Sequence, residues 1–435
     1  MWMKHNSPKA SVKTLGCRLN QYEGLALEAK LRNAGYEVVP FGEPADVGVV
    51  NTCTVTNEAD AKSRNAIRRF IRGNPNALTI VAGCYSQISA NEAAMIKGVD
   101  YVIGNHDKLN FLDYLADQKP TSPVIIRDKI NKDDFSIGFV GESRFEQRAN
   151  LKVQDGCDFM CSFCVIPFAR GRARSRDLND LISEAKTMIA SGVREIVLTG
   201  VNIGDFGTSH GETLLDLVRA LDDLEGVERF RISSIEPNLL TDELIDFVGG
   251  SRRFQPHFHI PLQSGADDVL SAMRRRYRTN LYASRIQRIK TKMPEASIGV
   301  DVIVGFPGES DDHFMQTVDF IKSLEISYLH VFTYSERPNT TALRIEDVVP
   351  ISKRKERNKT LRNLSLKAQR AHYEEFLGRT VPVLFEDAQE DGLRMGYTPN
   401  YIRVAAPANL VKGNDICQVT LDRIDPLGWV HGTLT

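Results

Sequence analysis

No run of about 18 apolar residues occurs in the 435-residue chain, which excludes an ordinary membrane-spanning helix. The opening segment MWMKHNSPKASVK carries charges but no apolar core behind them, so a secretory signal is not expected either. Net charge is also missing, with 55 Lys and Arg against 56 Asp and Glu. A nucleic-acid partner must therefore be recognised through local clusters of charge. Low-complexity sequence is absent, and so is an even cysteine count. Seven cysteines in a long chain argue against a disulfide framework and for metal or redox chemistry in a reducing compartment. The expected location is the cytoplasm, with no membrane partner.

At roughly 100–200 residues per domain, the length suggests two to four domains. Residues 9–120 read as strands alternating with helices. SVKTLGC, ADVGVVNTC and LTIVAGC are short β-branched and aliphatic runs, each ending in a cysteine: Cys17, Cys53 and Cys84. Helical patterns lie between them, so a parallel sheet with crossover helices is expected. The carboxyl ends of such strands share one edge, where open α/β folds bind ligands. Residues 121–146 lose this periodicity and read as a linker that partly packs on the surface. Residues 147–377 hold a second α/β series with six strand-like runs: LKVQ, EIVLTG, RFRISS, HFHIPL, GVDVIVGF and YLHVFTY. Six units, not eight, suggest an open partial barrel whose chemistry lies in the loops after the strands. A basic helical stretch follows, and residues 378–435 alternate short strands with turn signals, as in a small all-β barrel.

The segment CDFMCSFC places Cys157, Cys161 and Cys164 in a C-x3-C-x2-C array. A structural zinc site wants four ligands, and no further His or Cys lies close in sequence. Three thiolates suit a four-iron four-sulfur cluster whose last iron takes an exogenous ligand; a zinc knuckle or chance clustering is the competing reading. Taken singly, Cys17, Cys53 and Cys84 each read as a buried thiol. Three in equivalent positions of one small sheet point to a second cluster that also lacks a fourth protein ligand. Cys417, alone in DICQVTL, reads as a buried thiol.

The loop resembles the signature of the radical S-adenosylmethionine superfamily, with Phe163 at the aromatic position before Cys164. The resemblance implies that S-adenosylmethionine chelates the open iron and is reductively cleaved to a 5′-deoxyadenosyl radical. It also implies roles for the other strand-end loops. LTGVNIGDFG, with Gly200 and Asn202, occupies the place of the motif holding the methionine amino group. DVIVGFPGES, with Asp301, Val304 and Gly305, resembles the element packed against the adenine, while Glu236 and Gln263 offer polar groups to ribose or substrate. Each alone is equally an ordinary turn; their shared position at strand ends links them.

A three-cysteine α/β domain, a radical barrel and a small β-barrel together resemble the methylthiotransferase family over essentially the whole chain. The last module corresponds to its TRAM domain. TLGCRLNQYEG, NTCTVTNEADAKSRNAIRR, IPFARGRARSR and GYTPNYIRV are similar to the branch acting on N6-threonylcarbamoyladenosine beside the tRNA anticodon. The family implies two 4Fe-4S clusters, S-adenosylmethionine, a tRNA anticodon stem-loop, and an external electron donor and sulfur source. The competing substrates are N6-isopentenyladenosine of tRNA and a ribosomal-protein aspartate. A non-catalytic iron-sulfur RNA-binding protein is the alternative of another class.

Basic clusters agree with RNA. Arg170, Arg172, Arg174 and Arg176 follow the cysteine loop and are expected at phosphates. Tyr397, Tyr401 and Arg403 are candidates for stacking on or contacting unstacked bases, or else core residues of the small barrel. Lys62, Arg64, Arg68, Arg69 and Arg72 lie on one expected helix and read first as a solvated face.

Overall fold

The computed structural model describes residues 7–116, 118–130 and 148–435. The chain divides into two compact units. The first comprises Met1–Arg144, Gln154–Ser175 and Ser335–Thr340. Its short aliphatic runs become β1 (Lys9–Thr14), β2 (Glu37–Val38), β3 (Val47–Thr52), β4 (Leu78–Gly83), β5 (Tyr101–Ile103) and β6 (Val124–Ile126). They form a parallel sheet in the order β2-β1-β3-β4-β5-β6. Every residue of β3 is buried, as in a sheet covered on both faces. Val49, Ile80 and Ile103 pack with Tyr22, Leu27 and Leu31 of α1 (Arg18–Asn33). Their neighbours Val50, Val81 and Val102 turn the other way, toward Ile67 of α2 (Asn57–Gly73). Thr56 caps α2 by accepting from the Ala59 N–H at 3.1 Å, with Glu58 and Asp60 in the first turn. After β4 come the short helices α3 (Cys84–Ile88) and α4 (Ala90–Ala94). The edge strand β6 comes from the expected linker, whose residues 131–146 lie outside the described residues.

After β7 (Arg148–Lys152), a strand of the second unit, the chain returns to the first unit in β8 (Gln154–Asp155). The cysteine loop, helix α5 (Ile166–Arg170) and β9 (Arg174–Ser175) follow, and β8 and β9 pair antiparallel. The loop carrying Cys157, Cys161 and Cys164 thus belongs to the same compact unit as the N-terminal sheet.

The second unit comprises Phe145–Val153, Arg176–Tyr334 and Thr341–Thr435. It contains β7, β10 (Glu195–Thr199), β11 (Arg229–Ile232), β12 (His257–His259), β13 (Ser297–Val304) and β14 (Tyr328–Thr333), coinciding with the six expected runs. Two parallel three-stranded sheets, β11-β10-β7 and β12-β13-β14, are joined by bridges Phe230–Phe254 and Ser234–His259. Among the described residues no pairing joins β7 to β14, so the barrel is partial and open. Ile298, Val300, Val302 and Val304 enter the main core, while Asp301 and Ile303 stay half-buried on the opposite, inner face. The last strands are β15 (Thr380–Glu390), β16 (Leu393–Tyr397), β17 (Arg403–Pro407), β18 (Ile416–Ile424) and β19 (Val430–Leu434). They close into the expected small barrel in the order β15-β16-β17-β19-β18.

A turn of that small barrel sits on the base of the larger one. Glu195, Arg148, Arg229, His257 and Tyr328 are the first residues of β10, β7, β11, β12 and β14. Glu195 is fully buried between Arg148 at 2.7 Å and Arg231 at 3.0 Å, with Arg229 at 3.9 Å. Burial works against its negative charge, but these arginines outweigh burial and hold its carboxyl well below the usual range. Arg229 and Arg231 also donate to the carbonyls of Pro382, Tyr397, Thr398 and Pro399. The Tyr401 ring stacks between Tyr397 and His257, at 4.7 and 4.3 Å.

Candidate active site

Cys17, Cys53 and Cys84 follow the carboxyl ends of β1, β3 and β4. The parallel register pairs Thr14 with Asn51 and Thr52 with Gly83, which places Cys53 and Cys84 side by side. Two glycines make the approach possible. Gly16 has φ +96°, and a side chain there would bring Cβ within 2.8 Å of the Cys53 sulfur. A side chain on Gly83, at φ +98°, would meet the Asn51 side-chain oxygen Oδ1 and the Thr52 backbone at 2.7 Å. Burial first, then the neighbouring Cys84 and Cys17, pushes the Cys53 thiol up to about 11. The Asn51 Oδ1 is buried without a partner among the described residues. Three soft thiols around space that only glycine leaves open fit an iron-sulfur group.

Cys157 donates its N–H to the Gly171 carbonyl at 3.1 Å, and Cys164 donates its own to Cys161 at 3.1 Å, closing the loop on itself. The Cys157 sulfur receives the Phe159 N–H at 3.4 Å. Gly156, at φ +73°, has the Arg172 carbonyl oxygen 2.0 Å from where a Cβ would lie, so the loop entrance admits no side chain. All three cysteines and Phe163 are half-buried. This donor set, with one N–H directed at sulfur, fits the cluster that the loop's spacing implies.

A buried polar network ties the two cysteine groups together. Asn105 Nδ2 lies 3.3 Å from the Cys84 sulfur and donates to the Ala169 carbonyl at 2.6 Å, five residues beyond Cys164. Lys108 reaches Asn105 Oδ1 at 2.8 Å and also pairs with Glu23. Arg170 bonds Asn20, Glu23 and Asp155 at 2.5, 2.9 and 3.0 Å. Burial opposes the Arg170 charge, but Asp155 and Glu23 outweigh it and raise the guanidinium well above its ordinary value. Asn20 also holds the Leu15 and Thr52 carbonyls beside two of the cysteines. Asn20, Glu23, Asn105 and Lys108 were not singled out from the sequence; the N-x-Y-E pattern after Cys17 was the available signal for the first two.

The arginines after the loop require a correction. Arg170, Arg174 and Arg176 are buried and face carboxylates: Asp155 for the first two and Glu184 for the third. A phosphate cannot reach them without unfolding these contacts. Arg172 is exposed beside Asp158 at 3.4 Å. Tyr397 and Tyr401 are likewise taken up, stacked on each other under the Arg148 guanidinium at the barrel base. They serve as packing, the alternative foreseen for them, and bases have no free ring face there. Arg403 lies half-exposed over the Trp429 ring at 5.2 Å.

At the barrel mouth, Gly200 directly follows β10 and Asn202 donates to Asp205 at 2.7 Å. Glu236 is paired with Arg275. Gln263, at φ +66°, keeps a buried Oε1 without a partner among the described residues. Val304 is fully buried, and Gly305 at φ +75° donates its N–H to Glu309. Asp301 accepts from His259 at 2.9 Å and faces His330 at 3.3 Å. Burial would raise its carboxyl, but these imidazoles outweigh burial and bring it down to about 2. The orphaned Gln263 oxygen fits a polar cofactor at the strand ends.

Comparison with known proteins agrees with this architecture. Residues 9–104 match the uncharacterized protein family UPF0004, and residues 151–321 match the radical SAM superfamily. Threonylcarbamoyladenosine tRNA methylthiotransferase MtaB of Bacillus subtilis is 40% identical, over 90% of this chain and 88% of its own. Its namesake from Aquifex aeolicus is 39% identical, over 91% and 96%. In fold, the chain is similar to the radical S-adenosylmethionine methyltransferase TsrM of Kitasatospora setae, with TM-score 0.55, 15% identity and 75% coverage of both chains. Among the described residues no helix is long and apolar enough to cross a membrane. With cysteines at three strand ends, a C-x3-C-x2-C loop and relatives that span nearly its whole length, the chain belongs to the radical S-adenosylmethionine methylthiotransferase family of tRNA-modifying enzymes.

Proposed function

We propose that this enzyme inserts a methylthio group at C2 of N6-threonylcarbamoyladenosine, at position 37 beside the tRNA anticodon. Cys157, Cys161 and Cys164 would hold the cluster that binds S-adenosylmethionine, and Cys17, Cys53 and Cys84 an auxiliary cluster. When bound, these groups would supply the sulfur to be inserted and, from two molecules of S-adenosylmethionine, its methyl group and a 5′-deoxyadenosyl radical, because the aromatic C–H bond is too weakly acidic for a side-chain base. The protein's own residues position and insulate. Asn105 fixes Cys84 relative to the end of the post-loop helix, Arg170 locks that helix to α1, and Gly16 keeps the thiol crevice open. An external electron donor and sulfur source complete the turnover, which takes place in the cytoplasm, where tRNA is.

The observation that carries this reading is the Asn105 amide, in contact with a sulfur of one cysteine group and the helix that continues the other. Two cysteine groups built into one compact unit suit a reaction joining sulfur insertion to radical chemistry. The test is mass spectrometry of tRNA nucleosides from the source organism with the gene present and deleted. Loss of 2-methylthio-N6-threonylcarbamoyladenosine, with its precursor accumulating, is expected. Loss of the isopentenyl analogue instead would overturn the substrate, and no change in either would direct the search to the ribosomal-protein aspartate.

A further inference from the structure

The basic stripe of α2 is more than a solvated helix face. Arg64, Arg68 and Arg72 recur every fourth residue and so share one side of the helix, over about 12 Å of its length. They line a groove of about 790 Å³, whose opposite wall comes from Tyr85 of α3 and from Met95 and Lys97 beyond α4. Among the lining residues one carboxylate, Glu92, accepts from the Tyr85 hydroxyl at 3.2 Å, so four cations face a single negative charge. Arg64 is held against the same tyrosine, 5.8 Å from its ring centroid. Among the described residues, Arg68, Arg72 and Lys97 have no carboxylate within ion-pair distance, and all three are exposed. Elsewhere on α2, Lys62 is neutralised by Glu58 at 2.7 Å. Uncompensated positive charge is therefore concentrated inside the groove.

We infer that this groove binds the sugar-phosphate backbone of the RNA substrate. The inference rests on the tRNA reading above and adds to it where in the molecule the RNA is gripped. Guanidinium groups offer planar, paired donors that match phosphate oxygens, and a concave wall with fixed cations follows a strand of phosphates better than it does a flat surface. Tyr85, in the wall of this groove, is the residue after Cys84.

The experiment is fluorescence anisotropy of a synthetic anticodon stem-loop RNA on the full-length protein, as a function of salt. The double variant Arg68→Glu, Arg72→Glu should lose at least about tenfold in affinity at low salt. Its plot of log K against log salt should become shallower by about 1.4–1.8, the signature of two lost phosphate contacts. Arg68→Lys with Arg72→Lys should restore most of the slope, and an unchanged melting temperature of the Glu variant shows that the fold is intact. Wild-type binding with an unaltered slope in the Glu variant would overturn the groove assignment alone. Absence of any wild-type binding to the stem-loop would overturn the tRNA reading as well. Displacement of the RNA from wild type by phosphate-free polyglutamate at equal charge concentration would show a general acidic-partner site and overturn the inference.

Discussion

Each unit buries a cluster of arginines around carboxylates, and the two clusters are built differently. In the first, Arg170, Arg174 and Lys108 face Glu23 and Asp155, and the surrounding polar groups include a cysteine sulfur. In the second, Arg148, Arg229 and Arg231 converge on Glu195, Arg148 also reaches Glu386 at 2.9 Å, and the remaining positive charge is spread over backbone carbonyls and tyrosine faces. Burial takes Arg229 down to about 10, helped by repulsion from its two neighbours despite Glu195. The first cluster lies beside the candidate cluster cysteines. The second fastens a small barrel to a large one and centres on one fully buried carboxylate, Glu195.

That contrast can be broken at several points. The largest effects belong to the cysteines: Cys157→Ala should take 5′-deoxyadenosine formation to background. Cys53→Ala should abolish methylthiolation while sparing part of the 5′-deoxyadenosine, as read by chromatography; full methylthiolation by Cys53→Ala would refute the auxiliary site. Next, Glu195→Ala should destabilise the second unit by about 3–5 kcal/mol in urea unfolding, because it strands several buried cations. Glu23→Gln should instead show itself in reduced iron content and methylthiolation, and equal behaviour of the two variants would erase the distinction. A smaller effect comes from His372, buried beside Phe376 at 5.2 Å and brought down to about 4, first by burial and then by Lys290. The unfolded chain protonates this imidazole near pH 6.5 and the folded chain only near 4. Stability is thus present above 6.5 and lost by about 3 kcal/mol as pH falls through that interval. The variant His372→Leu should flatten this part of the stability-pH curve. Smallest of all, Arg172→Ala should change stability by less than about 0.5 kcal/mol in thermal melts, since its side chain is exposed.

The strands were legible because each is a short aliphatic run ending at a turn, and the six barrel runs reappear as β7 and β10–β14. The cysteine placement followed from the same pattern, since a parallel sheet gathers its strand ends at one edge. Arginine was harder to read. RGRARSR looks like a phosphate-binding run, yet Arg170 finds Glu23 147 positions away in sequence, and no local pattern reveals that pairing. Tyr397 and Tyr401 stayed open between stacking on bases and packing for the same reason, because their partners Arg148 and His257 lie in other parts of the chain. Conversely, the α2 cations seemed ordinary because nothing in their own segment announces that Lys97 and Tyr85 will face them across a groove.

The aromatic stack at the barrel base has a consequence for both barrels. Tyr401, wedged against His257 and overlaid by Arg231, stoppers the end of the lumen where the strands begin. The floor of the large barrel is thus partly supplied by the small one, so a change at Tyr401 reaches both.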